Sequence, residues 1–218
     1  MTDLLLPEFV DNSEKRCPVI LLLDTSGSMS GAPIAALNEG LKQFREDILK
    51  DEVAQLRVEV AIITFGPVKL HQDFCTVDQL DQTTLRAQAD TPMGRAIEFA
   101  IEKLEQRKQL YRANGIEYYR PWIFLITDGS PTDAWQESAL KVRKGEEERK
   151  HLFFAVAVQG ANLEVLSQIA PENRPPVRLA GLQFIELFRW LSSSMGRGSR
   201  QKANDPIALP PVGWGEIS

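Results

Sequence analysis

Asp24, Ser26 and Ser28 place a carboxylate and two hydroxyls at alternate positions of the turn Asp24-Thr-Ser-Gly-Ser-Met-Ser-Gly31. At that spacing three oxygens can converge on one point, and hard cations such as Mg²⁺ prefer oxygen donors. The residues just before them explain how they are held. Val19 to Leu23 is an unbroken aliphatic run, the pattern of a strand buried on both faces at the centre of a parallel sheet. A polar turn at the carboxyl end of such a strand lies where open α/β sheets bind their ligands.

Two later segments extend the pattern. Asp90-Thr-Pro-Met-Gly94 opens a helix, and Trp122-Ile-Phe-Leu-Ile-Thr-Asp-Gly129 is a second apolar strand ending in a carboxylate, Asp128. With the Asp24-x-Ser26-x-Ser28 turn, and in this order, they resemble the metal-ion-dependent adhesion site (MIDAS) of von Willebrand factor A (VWA) domains. The resemblance covers Cys17 to Met195. It implies a site for Mg²⁺ or Mn²⁺ made by Asp24, Ser26, Ser28, Thr91 and Asp128, with the hydroxyls coordinating directly and the aspartates directly or through water. One position is then left for an acidic side chain of a protein partner. A narrower run, Thr127-Asp-Gly-Ser-Pro-Thr-Asp133 followed by Trp135, resembles the stand-alone bacterial TerY-like (tellurium-resistance type) branch. That branch implies a stress-response setting with kinase- or phosphatase-like partners.

Thr25, Met29, Met93, Ser130, Pro131, Thr132, Asp133 and Trp135 fall on the same loops, and all but Pro131 are the expected partner contacts, with exposed Met and Trp as anchors. The metal-site groups are expected at a rim rather than in the core. Singly, each residue also has an ordinary reading. Ser26 and Ser28 suit a turn, Thr91 an N-cap ahead of Pro92, Asp128-Gly129 a turn, and Asp133 the cap of its own helix. Two other functions compete: a Mg²⁺-dependent phosphatase with Asp24 as nucleophile, and a metal-free scaffold. Against the first, Ser26 stands where aspartate-nucleophile phosphatases usually carry a second aspartate. There is also no Gly-x-x-x-x-Gly-Lys loop and no Gly-x-Ser-x-Gly elbow.

The elements that must position these loops alternate along the chain. A helix with Pro33 in its first turn runs to about Lys50, a strand from Leu56 to Phe65, and an edge strand from Val68 to Phe74 behind the turn Gly66-Pro67. A helix from Thr91-Pro92, the strand Tyr119 to Thr127, and a helix from about Asp133 to Lys150 follow. The strand His151 to Val158, a short helix to Ile169, the strand Val177 to Ala180 and a helix from Leu182 to Met195 complete the pattern. Alternating strands and helices predict an α/β, doubly wound three-layer sandwich with a mostly parallel six-stranded sheet. The VWA resemblance implies the order 3-2-1-4-5-6, with strand 3 as an antiparallel edge. Residues 1–16 are expected to be a lead-in lying against the domain of residues 17–195. Residues 196–205 read as a linker and 206–218 as an arm containing Pro and Trp.

With 218 residues and 43% hydrophobic content, the chain has room for one well-buried domain of this kind. A balance of 30 acidic against 25 basic residues gives no electrostatic footprint for nucleic acid or anionic lipid, so proteins are the expected partners. No leader or membrane span is read, and Cys17 and Cys75 are expected as free thiols in a reducing cytoplasm. His71 and His151 are expected to be solvated or structural.

Overall fold

The aliphatic runs become strands because both their faces are covered. In the computed structural model, which describes residues 9, 11–81, 84–88, 90–198 and 215–217, the strands are β1 (Cys17–Asp24), β2 (Val58–Phe65), β3 (Lys69–Thr76), β4 (Trp122–Thr127), β5 (Leu152–Ala157), β6 (Val177–Leu179) and β7 (Gly215–Ile217). Every residue of β1, β2, β4 and β5 is buried. The helices are α1 (Ala32–Leu49), α2 (Ala54–Arg57), α3 (Met93–Ala113), α4 (Gln136–Glu147), α5 (Leu163–Ile169) and α6 (Phe184–Gly198).

The sheet runs β3-β2-β1-β4-β5-β6-β7 and contains the expected six-strand order, with β3 antiparallel to β2 and the other five parallel. A seventh strand extends it. β7 pairs antiparallel with β6 through Val177↔Ile217, Arg178↔Glu216 and Leu179↔Gly215. Part of the arm read at 206–218 therefore caps the sheet edge, supplying backbone partners to a three-residue strand. Residues 206–214 and 218, most of the linker and most of the lead-in lie outside the described residues.

Alternation along β1 divides the core. Val19, Leu21 and Leu23 face a layer that includes Leu37, Phe44, Phe184, Leu187 and Phe188 from α1 and α6. Ile20 and Leu22 face Ile97, Ala100, Leu104 and Val142 from α3 and α4. Gly40 lets α1 and α6 approach closely, since a Cβ there would lie 2.6 Å from the Phe188 ring.

At the amino ends of β1 and β2 the core contains charge. Glu59 accepts from Arg16 Nε at 2.8 Å, from Arg107 Nε at 2.9 Å and Nη2 at 2.8 Å, and from the Tyr111 hydroxyl. Burial, reinforced by Glu59, pushes the Tyr111 phenol well above its ordinary range. Phe9 closes the cluster, with the Arg107 guanidinium 4.9 Å from its ring. The one described residue of the early lead-in is thus a lid on a buried ion network. Glu59→Ala leaves two buried guanidiniums without their carboxylate and is expected to cost about 3–5 kcal/mol in urea unfolding.

His151 is structural. It is 2% exposed, and any side chain at Gly145 would collide with its ring. Burial pulls its pKa down to about 4, with Glu146 opposing. The folded state therefore keeps His151 neutral while the unfolded chain takes up a proton near pH 6.5. Stability held above pH 6.5 declines as pH falls towards 4, by at most about 3 kcal/mol from this group. Unfolding of the wild type and His151→Leu across this window should show the slope shrinking in the variant; equal slopes would refute the assignment.

Candidate metal centre

Asp24 ends β1 and Thr127 ends β4, and the β1–β4 register places them side by side. Asp24 Oδ2 accepts the Thr127 hydroxyl at 2.5 Å, and Oδ1 accepts the Ser26 backbone N–H at 2.8 Å. Thr127 Oγ1 accepts in turn from the Gly129 N–H at 3.1 Å, which fixes the turn carrying Asp128. Asp24 is fully buried, Ser26 is 2% exposed and Thr91 and Asp128 are 7% exposed, so the expected rim position does not hold for these four. Parallel-strand register draws Asp24 inside, and Ser28 is the exposed member of the set.

The hydroxyls lie in front of the buried carboxylate. Ser26 Oγ is 3.0 Å from Ser28 Oγ, and Ser28 Oγ donates to Asp128 Oδ1 at 2.7 Å across one hundred residues of sequence. Adjacent ligands of an octahedral ion with bonds of about 2.0–2.1 Å lie about 2.9 Å apart. The three oxygens thus already have the spacing of neighbouring ligands. Thr91 Oγ1 lies 3.3 Å, and Asp24 Oδ2 3.7 Å, from where a Cβ on Gly129 would be, so both oxygens crowd the same side of that glycine. Among the described residues, Thr91 Oγ1 has no hydrogen-bond partner.

Electrostatics favour a cation. Burial raises the Asp24 carboxyl against the hydrogen bonds from Ser26 and Thr127, and the Asp128 charge raises it further. Burial raises Asp128 too, against its bond from Ser28. Among the described residues neither carboxylate has an ion-pair partner, and no three His, Cys, Asp or Glu side chains cluster as metal ligands. Two carboxylates and three hydroxyls, all hard oxygens, fit Mg²⁺ or Mn²⁺ and not a soft metal.

Close packing brings the loops together. A Cβ on Gly66 (φ 120°) would lie 2.8 Å from the Ser26 nitrogen and 2.9 Å from the Asp90 carbonyl, and one on Gly94 would strike the Ala134 carbonyl. Asp133 caps α3 rather than its own helix, accepting from Gly94 and Arg95 N–H at 2.9 Å each. Thr132 pairs with Thr91, its N–H donating to the Thr91 carbonyl at 2.9 Å and its Oγ1 accepting the Thr91 N–H at 3.2 Å.

The expected partner contacts divide. Ser130 and Thr132 are exposed, Asp133 is half-buried, and Trp135 is half-buried against the α3/α4 side of the core. Met29 and Met93 are fully buried in opposite core layers, because the turns bearing them fold their apolar side chains inward. They are core residues, not exposed anchors. Thr25 is also buried, and it ties its loop to Phe65 and Gln88 through backbone bonds. Thr127 escaped the sequence reading as a site residue; its signal, a hydroxyl beside Asp24, exists only once β1 and β4 are paired.

Among curated protein sequences none matches. Among solved structures the fold is similar to the pilus adhesin SpaC from Lactobacillus rhamnosus GG in its open conformation, with a TM-score of 0.69 and 14% identity over 85% of this chain and 31% of that one. It is also similar to proximal thread matrix protein 1 from the mussel byssus, with a TM-score of 0.57 and 15% identity over 84% of this chain and 49% of that one. At these identities the likeness is one of fold, and the chain spans between about a third and a half of these neighbours' lengths. The von Willebrand factor type A domain profile matches residues 19–180, and on that match the chain belongs to the von Willebrand factor type A domain family.

Proposed function

We propose that this VWA domain is a divalent-cation-dependent protein-binding module of the MIDAS type, with Mg²⁺ or Mn²⁺ held by Asp24, Ser26, Ser28, Thr91 and Asp128. VWA domains typically serve protein–protein interaction and are typically non-enzymatic. The observation that carries the metal reading is the oxygen cluster Ser26–Ser28–Asp128 at 3.0 and 2.7 Å, backed by the buried Asp24. When bound, the cation supplies an electrophilic attachment point for an acidic side chain of a partner. The chain's own residues divide the remaining work. Thr127 and the Ser26 N–H orient Asp24, Gly129 leaves room for the Thr91 hydroxyl, and the exposed Ser130 and Thr132 border the mouth.

A phosphatase with Asp24 as nucleophile fits less well. Asp24 is fully buried and accepts one hydrogen bond on each oxygen, so a phosphoryl group would have to enter the core for in-line attack, whereas an ion needs only one of the remaining lone pairs. The metal-free scaffold leaves the two buried carboxylates without a counter-charge among the described residues. The TerY-like setting, a bacterial cytoplasm with kinase- or phosphatase-like partners, is proposed on the Thr127–Asp133 run and Trp135; the two free, buried cysteines suit a reducing compartment. Among the described residues no helix is long and apolar enough to cross a membrane.

Calorimetric titration with Mg²⁺ and Mn²⁺ tests the site. Asp24→Asn, which preserves the buried shape, and Thr91→Ala should each weaken binding by about tenfold or more. Unchanged affinity in both variants would remove the ligand assignment. Phosphate release from small esters that disappears in Asp24→Asn would replace it with the enzyme reading.

A further inference from the structure

Three adjacent parallel strands are each preceded by an arginine. Arg120 lies two residues before β4, Arg149 three before β5 and Arg174 three before β6. Parallel neighbours start at the same edge of a sheet, so the topology carries all three to the amino-end rim, opposite the loops of Asp24 and Asp128.

Their contacts converge on one helix end. Arg120 Nη2 and Arg174 Nη2 share Glu146 Oε1, at 3.1 and 3.3 Å. Arg120 also donates to the His151 carbonyl at 2.9 Å and to the Glu146 carbonyl at 2.7 Å, and the Arg149 backbone N–H reaches that same Glu146 carbonyl at 3.1 Å. Glu146 Oε2 is taken by the Phe153 N–H at 2.9 Å. Two guanidiniums thus share one carboxylate that is already engaged on both oxygens, and the backbone of Arg149 closes the same helix end beside them.

The surplus of positive charge faces outward with donors to spare. Arg120 and Arg174 side chains are 27% and 24% exposed, and Arg149 is exposed. Among the described residues, the Arg149 side chain forms no hydrogen bond or ion pair, and Nη1 of Arg120 and of Arg174 has no acceptor. Arg174 lies over the Phe154 ring at 4.7 Å, which restricts its guanidinium. Arg149 has φ 55°, a left-handed conformation suited to Gly or Asn. The Arg120 guanidinium is pushed below its usual range by burial, and Arg174 and Arg149 add to this against Glu146.

We propose that Arg120, Arg149 and Arg174 form a binding site for a phosphate-class oxyanion, either inorganic phosphate or the phosphoryl group of a small phosphomonoester. Guanidinium forks match the oxygens of a phosphoryl group, and its charge of about −1.5 to −2 at pH 7 pairs with two guanidiniums that the single Glu146 carboxylate cannot neutralise.

The test titrates the full chain with inorganic phosphate, and in a second arm with phenyl phosphate, by NMR at constant ionic strength and without divalent metal. Saturable binding is expected, with shifts at Arg120, His151 and Phe153 amides. Arg149→Asn, which suits the left-handed backbone, should weaken it by about tenfold without loss of thermal stability. Arg174→Lys, which keeps the charge and loses the fork, should weaken it too, and Asp24→Asn should leave it unchanged. Tighter binding of either anion assigns the physiological class. The proposal fails if binding does not saturate, if Arg149→Asn binds as the wild type does, or if Asp24→Asn abolishes binding, which would place the anion at the opposite rim.

Discussion

The hydrogen bond between Thr127 and Asp24 is the constraint on which the functional rim depends. It spans the β1–β4 pair and keeps a carboxylate buried at a point where the sheet opens to loops. A buried carboxylate costs free energy unless its lone pairs are occupied and its charge is balanced. Thr127 and the Ser26 N–H meet the first need; Asp128, placed beside it, worsens the second. Strand register therefore concentrates negative charge at one spot and surrounds it with neutral oxygens, an arrangement that favours a hard cation over a protein ammonium or guanidinium.

Convergence of the loops is a packing problem, solved where side chains are absent. Gly66 admits the Ser26 backbone and Gly94 admits the Ala134 carbonyl. Asp133 then ties the loop after β4 to the first turn of α3 by capping two of its N–H groups. The same contact holds Thr91 in place, because Thr91 and Thr132 exchange backbone and hydroxyl bonds next to that cap. Residues with plain structural roles thus set the positions of the proposed ligands, and buried Met29 and Met93 anchor their turns from below.

The two ends of the sheet differ in charge. At the carboxyl rim, Asp24, Asp128 and the hydroxyls beside them meet without a protein cation among the described residues. At the amino rim, arginines pair two to one with carboxylates: Arg16 and Arg107 on Glu59, and Arg120 and Arg174 on Glu146, with Arg149 following at the same helix end. Glu59 is sealed under Phe9 and holds the core, whereas the Glu146 group is open to solvent. The first stabilises; the second has donors left over.

The sequence by itself determined the strand runs, their alternation with helices, and the chemical type of the loops that follow β1 and β4, because periodicity and local composition are carried by neighbouring residues. It also marked Asp24, Ser26, Ser28, Thr91 and Asp128 as oxygen donors, and the structure brings Ser28 and Asp128 within 2.7 Å. Tertiary structure alone decided that Asp24 is buried, that Thr127 holds it, that Asp133 caps a helix other than its own, and that Met29 and Met93 face the core. It alone added β7 to the sheet and gathered three distant arginines at one rim. Each of these depends on which strands lie side by side and in what register, and pairing between residues as far as 103 positions apart leaves no mark on the local pattern of either partner.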